Sequence, residues 1–274
     1  MGIPMEVKMA GISFFRVLLI FSVFWLPFRS SYVFSATIHI ATPEWEGQTT
    51  KDGSGLFFDM LRKIYQPHGI EISWEIASWK RSIQLVAEGH ADAIPTVWRD
   101  DAEEAGLRLP QMPLYIEYTS AVFKKERFPD WQGADSLKGR SAVWIKGYSY
   151  DKDTPLESLN LQWAEVSNPE IMWRMLAADR VDVIIDARMD VEHYMNTHMV
   201  DTVIFRTEPL WGHKAYLGFS DRASSEKLMK IFDERIADML ASGELAGLHK
   251  KWKMQGFDAQ AWTAEGEMVF CGQE

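Results

Sequence analysis

Residues 70–76, IEISWEI, alternate without a fault: Ile70, Ile72, Trp74 and Ile76 point one way, Glu71, Ser73 and Glu75 the other. A period of two marks a half-buried strand. Ahead of it, residues 56–66 place Phe57, Met60, Leu61 and Ile64 on one helical face, and Pro67 and Gly69 end the run. Residues 37–42 predict a short strand, followed by a turn-rich loop with Gly47, Gly53 and Gly55. Residues 78–89 predict a helix with Trp79, Ile83 and Val86 on one face and Gly89 in the C-terminal capping place. The run ADAIPTV, residues 91–97, is apolar throughout, as in a strand covered on both faces.

The same grammar then starts again. Residues 115–125 predict a long strand able to pass from one lobe to another, and SAVWIKG and LQWAEV read as further strands. A helix follows with Asn168 as N-cap, Pro169 at its first position and Glu170 in its first turn. VDVIID is its buried strand, and VEHYMNTHM a short helix. Residues 215–220 predict a second crossing strand. Leu228, Ile231, Phe232, Ile236, Met239 and Leu240 form one helical stripe. A last helix starts at a cap on Ser242 and buries Leu245, Leu248 and Trp252. Beyond Phe257 the pattern fades, which predicts a mobile tail over 258–274. Strand and helix alternation of this kind specifies an α/β protein. The junction of helix end, turn, Asp and buried strand occurs twice, at AEGHADAIPT and AADRVDVIID.

The first 36 residues differ in kind. Lys8 and Arg16 precede the apolar run 17–26, and PFRSSYVFSA follows it. That order describes a secretory signal peptide over residues 1–36, cut after Ser35 or Ala36, and so a periplasmic protein. The chain carries a formal charge of −10, and with three basic residues and one acidic in the leader the remainder stands near −12. Without a basic cluster, nucleic acid is excluded as a partner. A single cysteine, Cys271, excludes an internal disulfide framework. The seven His are scattered and no metal-binding motif occurs, so neither a metal nor a cofactor is expected.

The order of these pieces resembles the family 3 extracellular solute-binding proteins, the periplasmic receptors of amino-acid ABC transporters. Trp45 with GLFFDML (55–61), WKRSI (79–83), EGHADAI, its echo DRVDVII, LKGRSAVWIKGYSY and the closing SGELAGLHKKW carry the resemblance, which runs from Thr37 to Trp252. It implies the two-lobed type II periplasmic-binding fold with two crossing hinge strands. Lobe one would hold residues 37–119 and 214–257, and lobe two residues 120–213. The expected function is capture of a small polar solute, an amino acid or related carboxylate or amine, in the cleft of a monomer. Delivery would be to an ABC-type permease. The rivals are an enzyme on this scaffold, such as a dehydratase of small cyclic acids, and a sensor input protein.

Ligands in open α/β sheets sit outside the carboxyl ends of the strands. Trp45 follows the first strand and either stacks on a ligand or is an ordinary surface aromatic. Thr96, Trp98 and Arg99 follow ADAIPTV; the guanidinium either binds a carboxylate or pairs with Asp100 or Asp101. Gly147, Tyr148 and Ser149 either present backbone N–H groups to an anion or form a turn. Asp186 either accepts an ammonium or caps the helix that starts near Val191. The resemblance implies that Trp79 and Arg81, at the start of the second helix, stand beside the cleft, where Arg81 either touches ligand or braces the loop of Trp98. The chain departs from amino-acid-binding relatives at both charged positions, where Glu103 and Ala187 fall. Arg99 and Asp186 therefore substitute for the usual pair, or the solute is not an α-amino acid.

Overall fold

The structure is a computed structural model that describes residues 1–2, 36–254 and 257–269. Residues 3–35 of the leader and Cys271 lie outside the described residues, and every described strand and helix belongs to the unit from residue 35 onward. The strands of that unit are β1 (Ala36–Thr42), β2 (Ile70–Ile76), β3 (Ala93–Val97), β4 (Tyr115–Lys124), β5 (Ser141–Ile145), β6 (Gln162–Val166), β7 (Val183–Ala187), β8 (Phe205–Phe219) and β9 (Met268–Val269). Its α-helices are α1 (Leu56–Tyr65), α2 (Trp79–Ala87), α3 (Arg99–Glu104), α4 (Pro169–Ala177), α5 (Arg188–Thr197), α6 (Ala223–Ala241), α7 (Glu244–Lys251) and α8 (Ala259–Thr263).

The strand order is β2-β1-β3-β8-β4-β7-β5-β6, with β9 added to β8. Two parallel units, β2-β1-β3 and β7-β5-β6, flank one antiparallel pair, β4 and β8. β4 and β8 pair from Tyr115↔Ala215 to Lys124↔Phe205 and so run through both halves of the sheet. Their far ends meet different partners: β8 pairs with β3 near Phe219, and β4 pairs with β7 from Thr119 on.

Each half is covered on both faces. Ala121, Phe123, Ala142, Trp144, Val183 and Ile185 pack on one side of the second half, while Val122, Val143 and Ile184 pack on the other with Met172 and Trp173 of α4. In the first half, Ile38 and Ile40 meet α1, α6 and α7, whereas Ala41 and Ile94 meet Leu85 and Val86 of α2. Burial on both faces is why these strands read as apolar runs rather than as alternations.

The repeated Asp has one job in both places. His39 N–H donates to Asp92 Oδ2 at 2.8 Å, and Asp92 N–H donates to the His39 carbonyl at 2.8 Å. In the second half Ser141 N–H donates to Asp182 Oδ2 at 3.0 Å, and Asp182 N–H donates to the Ser141 carbonyl at 2.9 Å. Each Asp thus stitches the start of the buried strand to the first strand of its own half, satisfying a main-chain donor at the sheet's end.

Three local expectations change, and one helix is unannounced. The second crossing strand begins at Phe205, not near 215, because Pro209 sits at the register shift opposite Thr119 and Ser120. Proline has no N–H to give the ladder, and a bulge removes that demand. Ser242 closes α6 and Gly243, at φ 77°, opens α7, so the expected cap lies one residue early. Residues 99–104 form the short helix α3, which no apolar period announces. The described part of the tail is built into the fold: Asp258 caps α8, Trp262 is buried, and β9 pairs with β8.

Candidate functional site

The loop after β1 is folded tightly on itself. Thr49 N–H donates to the Trp45 carbonyl at 2.8 Å, and Phe57 N–H of α1 donates to the Gln48 carbonyl at 3.1 Å. Gly55 stands at φ 126°, where a Cβ would come within 2.1 Å of the Gln48 carbonyl oxygen. Only glycine permits that approach, which presents Trp45 and Gln48 beyond the strand end.

β3 breaks its register between Ile94 and Val97, and Thr96 there adopts φ 60°. A β-branched residue in the left-handed region is strained by about 1–3 kcal/mol. The distortion turns Thr96 toward a cavity beyond the strand end. Trp98 stacks on His213, with centroids 4.5 Å apart at 23°, and its indole N–H donates to Glu117 of β4. Opposite, the loop after β5 carries Tyr148, Ser149 and Tyr150, the end of β7 carries Asp186, and the first turn of α5 carries Asp190.

These elements border a cavity between the two halves. Trp45, Trp79, Trp98, Tyr118, Tyr148 and Tyr150 form much of the wall; Gln48, Thr96, Asp101, Glu117, Ser149, Arg188 and Asp190 supply polar groups. Trp45 and Trp79 meet at 5.9 Å and 44°, making a corner. The halves touch across the gap: Trp45 Nε1–H donates to the Tyr148 hydroxyl at 3.1 Å, and Gln48 Nε2–H donates to Asp190 Oδ1 at 2.8 Å. Further out, His193 Nε2 lies 2.8 Å from Glu46 Oε2, and Lys152 Nζ lies 3.1 Å from Glu104 Oε2. A wider groove continues from the cavity past Lys80 to Asp186.

Carboxylates dominate the site's electrostatics. Burial pushes Glu117 up to about 8, reinforced by repulsion from Asp190 and Asp101. Asp190 rises to about 6 through burial, opposed by the Gln48 hydrogen bond and by His193. Asp101 also rises to about 6, chiefly through burial. Asp186, 4% exposed, is raised well above the usual carboxylate range by burial and by Asp190. His213, opposite Glu117 across the strand pair, is held below the ordinary imidazole value by burial and stays neutral at pH 7.

Of the residues singled out from the sequence, Trp45, Trp79, Thr96, Trp98, Tyr148 and Ser149 line the cavity, and Asp186 lines its outer groove. Three are placed elsewhere. Arg99 opens α3 and turns away: its Nε–H donates to Glu267 Oε1 at 2.9 Å and its terminal N–H to the Tyr216 hydroxyl at 3.1 Å. Arg81 is exposed on α2 and bonds Gln84 at 3.1 Å. The Gly147 N–H donates to Glu165 at 2.8 Å, so it is not free for an anion. Gln48, Asp101 and Glu117 are cavity residues that the sequence pattern did not single out as contacts, and Asp190 joins them. Glu117 had a legible signal, a lone carboxylate in the middle of an apolar strand.

Among the described residues, no group of three or more His, Cys, Asp or Glu is disposed to hold a metal ion, and no helix is long and apolar enough to cross a membrane. Residues 38–255 match the bacterial extracellular solute-binding proteins, family 3. The chain belongs to that family. Solved structures place this family 3 chain in the two-lobed type II periplasmic-binding fold. An arginine third transport system periplasmic binding protein from Legionella pneumophila superposes with a TM-score of 0.63 at 14% identity, over 80% of this chain and 100% of that one. The GluR0 ligand-binding core from Nostoc punctiforme, in complex with L-glutamate, gives 0.64 at 14%, over 79% and 99%. An ancestral amino-acid-binding protein described as a precursor of cyclohexadienyl dehydratase gives 0.62 at 15%, over 79% and 95%. No curated protein matches the chain.

Proposed function

We propose that this family 3 protein is a periplasmic receptor: it captures a small polar solute in the cleft and hands it unchanged to an ABC-type permease. The observation that carries the reading is a cavity with walls from both halves, whose rims already hydrogen-bond across it through Trp45–Tyr148 and Gln48–Asp190. A ligand held between two such walls gains contacts only in the closed arrangement, and that differential affinity is what drives closure. Trp45, Trp79, Thr96, Trp98, Tyr148 and Ser149 serve as ligand contacts, joined by Gln48, Glu117 and Asp190. Asp186 acts from the groove. The apolar segment before residue 36 supports export, and the family supports delivery to a transporter.

A thermal-shift screen of the purified protein against amino acids, amines and small carboxylates tests this. One solute should raise Tm with saturation, by about 2–3 kcal/mol of stability at a hundredfold excess over Kd, and should be recovered chemically unaltered. Conversion of that solute would favour an enzyme instead.

A further inference from the structure

We propose that the cleft selects a small organic cation, an ammonium or guanidinium on an apolar body, and rejects an α-carboxylate. This rests on the receptor reading and names its substrate class.

Four carboxylates border the cavity and its groove: Asp101 on α3, Glu117 on β4, Asp186 on β7 and Asp190 on α5. Among the described residues, none of the four is ion-paired with a Lys or Arg. Asp186 is nearly fully buried, and among the described residues the one hydrogen bond it receives comes from the N–H of Ala187, at 2.9 Å. Buried carboxylates without a counter-charge are costly, and proteins pair them or leave them protonated. Burial has raised all four, Glu117 to about 8 and Asp101 and Asp190 to about 6, so Glu117 keeps its proton at neutral pH while Asp101 and Asp190 are ionised there without a Lys or Arg partner. An entering cation supplies the missing counter-charge.

The two guanidiniums of Arg188 and Arg99 are drawn to other carboxylates, and Lys80 and Lys146 stand out in the groove, not in the cavity. Arg188 lines the cavity but sits 2.7 Å from Glu192 in an ion pair along its own helix. Arg99 is 2.9 Å from Glu267. The N–H groups of Gly147, Tyr148 and Ala187 donate to Glu165, Ile145 and Asp186. An anion would meet acceptors and no free donor at these positions. A cation meets the reverse, beside the indoles of Trp45, Trp79 and Trp98 that line the cavity, and indole rings attract positive charge.

Matched pairs separate the headgroup from the carboxylate. Calorimetric titration at pH 8 should show agmatine binding at least about tenfold more tightly than arginine, and cadaverine more tightly than lysine, since each charge-assisted contact is strong and the carboxylate has none. Glu117→Gln and Asp190→Asn should each weaken the amine by about tenfold or more. Both keep their hydrogen-bond acceptor toward Trp98 or Gln48, and circular dichroism with Tm reports their folding. If arginine or lysine binds as tightly as its decarboxylated counterpart, the cation proposal falls while the receptor reading stands. If neither variant alters amine affinity, the carboxylates are not the contacts and the proposal falls. Should no cation bind while a small carboxylate or neutral solute does, the proposal falls alone. Failure of every solute class to bind overturns both readings.

Discussion

Glu117 concentrates the physics of the site. Burial first, then Asp190 and Asp101, raise it to about 8, with Asp101 on α3, Asp190 on α5, neutral His213 across the strand pair and the Trp98 indole as the groups around it. An unfolded glutamate ionises near pH 4–5, so through the window from there to about 8 the folded chain holds a proton that the unfolded chain has lost. Stability therefore falls as pH rises across that window. Glu117→Gln removes the penalty: equal stability to wild type near pH 4, and a gain of roughly 1–3 kcal/mol by pH 8, reduced from the full shift because the side chain retains some solvent contact. Urea titrations at the two pH values measure it. A variant equally stable or weaker at pH 8 would show that the carboxylate is not destabilising there. Cation binding should strengthen as pH rises from 6 to 8.5 with release of a proton, readable by calorimetry in buffers of different ionisation enthalpy.

At the scale of elements, the C-terminal segment behaves as a strap. β9 pairs with β8 at Gly212 and His213, Lys214 Nζ donates to the Ala264 carbonyl at 2.6 Å, and Glu267 takes hydrogen bonds from Arg99 and Tyr216. Those contacts hold α3, the last long strand and the chain end together behind the wall that carries Trp98. Glu267→Ala leaves Arg99 and Tyr216 without their acceptor. It should cost about 1 kcal/mol, because the ion pair is only part-buried, and should speed amide exchange at Gly212 and His213. Solute affinity should stay within error of wild type. Lost binding with intact stability would put Arg99 back among the ligand contacts.

For the whole molecule, two strands link halves that also meet at the cleft. In the proposed receptor, the balance between open and closed would rest on contacts such as Trp45–Tyr148 and Gln48–Asp190. Tyr148→Phe deletes the acceptor of the Trp45 indole while keeping the ring. One hydrogen bond of about 1 kcal/mol shifts such a balance by roughly fivefold. In small-angle scattering the free variant should be more extended than the free wild type, and saturating solute should restore the compact profile. Identical profiles for both free proteins would mean that this contact does not hold the halves together.

Local pattern determined much here. The twice-built α/β order, the Asn168 cap, the two Asp junctions and the aromatic residues at strand tips are all readable along the chain, because apolar period, turn chemistry and caps act within a few residues. The first half of β8 was hidden by Pro209, Gly212 and charged positions whose demands are met only by a bulge against β4. Arg99 reads as a ligand contact until Glu267, far along the chain, claims it. The acidity of the site belongs to tertiary structure alone: Asp101, Glu117 and Asp190 lie on three elements, and only folding brings them, half-buried, to one wall. Charge in water is cheap at any position; its cost and its use begin where the fold removes the solvent.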